Sequence, residues 1–218
     1  MTWMRVILAI FWILLEGQAG LFILPPYLCY SGSLIQVLTL FSTYPHGPSH
    51  PSGGFKFCTV TFDISNSLKI TRYQAKASAV VQELKSNWTC VVVAMTNHTN
   101  NNNGDLFIGY KGKKKAYVLA CVLEILLLPW QSVIDGAEES YLWLFACSAL
   151  INKPIAFGCL QQAVINHCMT ATIGFNAVCF QPSFATHLLL AFMELVIIKC
   201  LSIRVAFPKM VGQSYKLG

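Results

Sequence analysis

Apolar positions in this chain come mostly in long uncharged runs, concentrated in its second half. Residues 116–134 contain one acid, Glu124, with Pro129 near the far end. Residues 141–151 are apolar, with Trp143 near the start where interfacial aromatics sit, and the run extends past Lys153 and Pro154 to Leu160. Residues 154–193 carry no charge over 40 positions, and Gln181-Pro182-Ser183 divides that stretch into 155–180 and 184–201. A bilayer core takes about 20 apolar residues in a helix, so these runs predict membrane spans. The expected fold class is membrane all-α: multi-pass helical hairpins with about four spans over 116–204, followed by a basic tail over 205–218.

The first half reads differently. Residues 1–19 have the layout of a secretory signal, with Arg5, an apolar run over 6–15, and the small residues Gly17 and Ala19 before a cut at Gly20. Ten apolar residues rise only about 15 Å as a helix, half of a bilayer core, so this run does not span alone. Residues 20–45 form a further apolar segment, either a span over 27–44 beyond Pro25-Pro26 or a strand-and-turn piece of an ectodomain. Residues 46–115 make a small polar module of mixed α/β type with a flexible Pro/Gly/Ser lead-in over 46–54. Phe55, Phe57, Thr59 and Thr61 alternate with Lys56, Cys58, Val60 and Phe62, which predicts a strand. A helix is expected over 75–84, a second strand over 88–95, and a loop over 97–105 that turns at Asn103-Gly104.

Composition supports the membrane reading. The chain is 55% hydrophobic and 11% charged, against roughly a quarter charged in an ordinary soluble domain. Mean hydropathy is +0.56, which argues against a disordered chain, a charged coiled coil and an ordinary cytosolic enzyme. The net charge is +6, and Lys111, Lys113, Lys114 and Lys115 form a block before the run at 116 that reads as an orientation signal at the cytoplasmic edge of a span. Nucleic acid is not expected as a partner, because basic and aromatic residues are not patterned together elsewhere.

The side of the membrane on which 46–115 lies stays open. The Lys block argues for the cytosol. The signal and two glycosylation sequons, at Asn87 and Asn97, argue for the lumen, where Cys58 and Cys90 would be the one pair to consider as a disulfide. The remaining cysteines, of nine in all, lie in apolar sequence or show no ligand spacing.

Chemistry is sparse. Glu124, His187 and Glu194 fall within expected spans, and His187 and Glu194 share a helical face, so the three are candidates for an ion path; the bland reading is that they form structural hydrogen bonds. Gly104 to Gly109 has phosphate-loop spacing, but Tyr110 stands where Lys is needed. His46 and His50 are separated by Pro48, and His167-Cys168 reads as packing. No catalytic residue, metal site or cofactor is expected. The expected partners are the lipid bilayer and either another membrane protein or a second copy. Three functions are compatible with this: a multi-pass membrane protein of structural or partner-binding type, a proton or cation transporter using Glu124 and Glu194, or an untuned reading frame without a defined function.

Overall fold

A computed structural model describes residues 35–43, 54–84, 88–111, 113–118, 122–146, 148–176 and 182–213. The chain divides into two compact units, Ile35–Phe180 and a second containing 182–213.

In the larger unit, β1 (Ile35–Thr43) and β2 (Gly54–Phe62) form an antiparallel pair. Helix α1 (Ser67–Glu83) follows, started by Asn66, whose side-chain oxygen accepts from the Lys69 backbone amide at 3.0 Å. That cap satisfies one of the amides a helix start leaves open, and it sets the beginning of α1 well ahead of residue 75. Next come β3 (Cys90–Thr96) and the hairpin β4 (Leu106–Lys111) and β5 (Lys114–Val118). The chain then folds through α2 (Val122–Leu127), a 3-10 turn (Leu128–Trp130) and α3 (Gln131–Asp135). Strand β6 (Glu139–Phe145), the short α4 (Ala149–Asn152), α5 (Pro154–Asn166) and β7 (Ala171–Gly174) complete the unit.

The sheet order is β2-β1-β3-β6-β7. Strand β1 is antiparallel to both β2 and β3, whereas β3, β6 and β7 run parallel. Parallel neighbours need crossovers, which here are the β4–β5 hairpin with α2 and α3, then α4 with α5. On one face Val60, Phe62, Val91, Val93, Met95, Leu142 and Leu144 meet Tyr73 and Ala77 of α1, Leu126 and Leu127 of α2, Trp130, and Ala156, Leu160 and Ala163 of α5. Tyr73 ties two of these layers together: its hydroxyl donates to the Leu126 carbonyl at 2.6 Å and accepts from the Trp130 indole at 3.1 Å. Burial pushes the Tyr73 hydroxyl well above its ordinary pKa. The central strands are buried on their other face too, where Trp143 stacks on Phe145 at 5.8 Å.

This architecture corrects the expected all-α multi-pass fold. The described part of 116–134 is the end of β5, then two short helices separated by a 3-10 turn, and 141–151 begins in strand β6 and ends in the short α4. The described part of 155–180 is α5 and then β7, and Ile35–Thr43 is a strand inside the span expected over 27–44. No helix among the described residues is long and apolar enough to cross a membrane. The multi-pass membrane localisation built on those spans falls with them. The physical reason is that a parallel strand buried on both faces reads as a continuous apolar run, the same signal a spanning helix gives. The signal expected over 1–19 lies outside the described residues.

In the second unit α6 (Pro182–Phe192) runs into a π-helical segment (Met193–Ile198) and packs against α7 (Ile203–Gln213), which overlaps the basic tail expected over 205–218.

Candidate functional site

Three groupings of side chains lie in the larger unit. The first joins the start of α1 to β4. Lys69 Nζ lies 2.6 Å from Asp63 Oδ2 and donates to Ser65 Oγ at 2.9 Å, while Ser65 Oγ bonds Asp63 Oδ1 at 2.7 Å and the Tyr110 carbonyl at 3.0 Å. The Ile64 amide donates to the Ile108 carbonyl at 2.8 Å, so backbone and side chains make the same junction. Gly109, at φ +127°, is required there, because a Cβ would run into the Asp63 carboxylate. Burial pushes the Asp63 carboxyl up, but the Lys69 ammonium and the Ser65 hydrogen bonds outweigh it and hold the pKa below the ordinary value. Ser65 and Lys69 have the spacing of a nucleophile and base, but Asp63 occupies the ammonium as an ion pair, which leaves no free base for the hydroxyl.

From that junction the β4–β5 ribbon projects. Lys111 ends β4, Lys114 and Lys115 begin β5, and Lys113 lies between the strands; all four are exposed.

The second grouping closes α2 and α3 against the end of α5. His167, whose side chain is 3% exposed, places Nε2 at 3.0 Å from Glu124 Oε2 and Nδ1 against Gln131 Oε1. The Gln131 amide nitrogen donates to Asp135 Oδ1 at 2.6 Å, which turns its oxygen toward the ring. Asn166 Nδ2 donates to Glu124 Oε1 at 2.7 Å, and Asn166 Oδ1 accepts from Gln162 Nε2 at 2.8 Å. Nδ1 is therefore the hydrogen-bonded nitrogen, while Nε2 lies beside the Glu124 carboxylate without the angle of a hydrogen bond, so that contact is one of proximity and charge. Glu124 also borders a cavity of about 20 Å³ with Leu123, Leu150 and Cys159, room for one water and not for a substrate.

The third is the outer face of α5. Ala156, Leu160 and Ala163 turn inward, leaving Ile155 73% and Ile165 67% exposed, with Phe157 and Gly158 also outward. The helix contains no Asp, Glu, Lys or Arg.

Of the ion-path residues, Glu124 thus lies with His167, and Glu194, in the second unit, pairs with Lys199 at 2.6 Å. His187 is half-buried on α6. Cys58 is a free thiol whose pKa burial raises. Strand β1 lies between Cys58 and Cys90, since Thr39 pairs with Cys58 on one side and Ser42 with Cys90 on the other. Two strand spacings of about 4.8 Å exceed the reach of a disulfide. Asn87 lies outside the described residues, and Asn97 is half-buried, its side-chain oxygen accepting from the His98 amide at 2.7 Å. Among the described residues no group of three or more His, Cys, Asp or Glu could hold a metal ion.

Sequence reasoning passed over Asp63, Ser65 and Lys69, though the short spacing of an acid, a hydroxyl and a base across the start of a helix was a usable local signal. It read His167 as packing, and nothing local to His167 points to Glu124 or Gln131. Comparison with protein-family models, curated proteins and solved structures gives no match.

Proposed function

We propose that this chain is a non-catalytic partner-binding protein whose partner is a second copy of itself, docked through the outer face of α5. The observation that carries the reading is the exposed row Ile155, Gly158, Gln162 and Ile165 on a helix without charge. Steps of three and four residues keep these positions on one face, about 15 Å from end to end. Laid antiparallel against its copy, the row complements itself, with Ile155 meeting Ile165 and Gly158 meeting Gln162. A two-fold contact of this kind uses the same patch on both partners. Gly158 has open space where a Cβ would stand, which lets the backbones approach. The chain carries a net charge of +6, so two copies repel overall, and an uncharged face is where self-contact meets least local repulsion.

Sedimentation equilibrium of the full chain tests this. A dimer is expected, and Ile155→Glu with Ile165→Glu should give a monomer with an unchanged circular dichroism spectrum. A monomeric wild type, or a dimer that survives both substitutions, overturns the reading.

A further inference from the structure

The lysine block that flanks an expected span in the sequence is instead the tip of a two-stranded ribbon. Lys111 stands directly opposite Lys114, and Tyr110 opposite Lys115. Successive strand residues point to opposite faces, so Lys111 and Lys114 share one face and Lys115 takes the other. Like charges placed directly opposite repel. This ribbon therefore carries a self-repulsion that an anion between the ammonium groups would relieve.

The ribbon is held against a second basic element. Ser65 and Lys69, at the start of α1, reach the Tyr110 carbonyl at 3.0 and 3.4 Å, one residue before Lys111. Along α1 the exposed Arg72 and Lys76 follow Lys69 at three and seven residues, on the same helical face. The carboxylate of Asp63 at this junction is already taken by Lys69, and the one acid within α1, Glu83, stands in its last turn.

We propose that the β4–β5 ribbon and the adjoining face of α1 bind the phosphate walls of double-stranded nucleic acid, with the ribbon entering the groove. A major groove about 12 Å wide admits a two-stranded ribbon, and its phosphates flank the ribbon on both sides. Lysines on both faces suit that enclosure, whereas a flat anionic lipid surface would meet one face only. None of the large exposed hydrophobic side chains of the described residues lies on the ribbon to enter a bilayer. The tip offers ammonium groups alone, point charges without the planar fork of Arg or the paired donor and acceptor of Asn and Gln, so phosphate contacts dominate and the binding is independent of sequence. The proposal stands apart from self-association through α5.

Fluorescence anisotropy of the full chain with a labelled 24-base-pair duplex of mixed sequence tests it. Four lysine-phosphate contacts give a logarithmic salt slope of about −3.6, so raising KCl from about 50 to 200 mM should weaken binding roughly 150-fold. Replacing Lys111, Lys113, Lys114 and Lys115 with Gln, at exposed positions that leave the circular dichroism spectrum unchanged, should weaken binding at low salt at least about tenfold and flatten the slope. A second duplex of unrelated sequence should bind equally. Absence of binding at low salt, or equal binding by the Gln variant, overturns the proposal. So does tighter binding to phosphatidylserine vesicles that the duplex does not compete away, which would assign the ribbon to a lipid surface instead.

Discussion

His167 and Glu124 meet at 3.0 Å, joining the end of α5 to α2. The imidazole is buried and the carboxylate is partly open to solvent, so the histidine is the member that loses more when the contact is broken. His167→Ala should therefore destabilise the chain by roughly 1–3 kcal/mol, by opening a cavity and stranding the Gln131 oxygen. Urea denaturation of His167→Ala, Glu124→Gln and the double variant measures it. Strictly additive losses would show that the two side chains are merely neighbours.

A different bond holds α1 to α2. Tyr73→Phe keeps the ring that meets Phe62 edge-on at 5.8 Å, but it leaves the Leu126 carbonyl and the Trp130 indole without their shared partner. Two buried groups left open should cost roughly 2–4 kcal/mol, seen as a lowered denaturation midpoint with an unchanged m-value. A loss no larger than that of an ordinary surface substitution would mean water replaces the hydroxyl.

The parallel strands β3 and β6 explain much of what the sequence did and did not reveal. β2 alternates, with Val60 and Phe62 buried and Thr59 and Thr61 exposed, and its extent was readable from residues 55–62. Burial on one face leaves polar residues as the second half of the pattern. β6 has no such half: Tyr141, Leu142, Trp143 and Leu144 are all buried, so its run carries no period. Trp143, which resembles an interfacial aromatic in the sequence, is instead enclosed in the sheet. The lysine block was visible as a cluster of charge, but its geometry depends on the register of β4 with β5. Glu124 was singled out as an ionisable residue in an apolar run, while its partner comes from a distant helix that no local pattern specifies.

Acid should loosen the junction at Asp63. Its carboxyl is held below its ordinary pKa by Lys69 and Ser65, so its contribution to stability is complete above the unfolded value, near pH 4, and is lost as pH falls through the lower folded value. Denaturation midpoints of wild type and Asp63→Asn should converge as pH falls below the ordinary carboxylate range and diverge toward neutrality. Curves that stay parallel across that window would remove the ion pair from the account.

Gly109→Ala should act at the same junction by steric means. The methyl group meets the Asp63 carboxylate at a φ of +127°, a backbone conformation that side chains rarely adopt. A loss of roughly 1–3 kcal/mol is expected, with faster amide exchange at Ile64, whose amide donates to the Ile108 carbonyl beside Gly109. Unchanged exchange there would show that the ribbon adjusts without leaving α1.

The parallel pairing of Cys90–Thr96 with Glu139–Phe145 has a consequence for how the chain is made. When β3 leaves the ribosome, β1 is available to cover one edge, but its other edge waits until β6 has been synthesised. At about 5–20 residues per second that interval lasts roughly 3–10 s. During it, the Val91–Val93 backbone presents an open strand edge beside apolar side chains, the combination from which aggregation starts. Newly made chains should therefore depend on a chaperone, or on slow synthesis at low temperature, more than their finished stability would suggest.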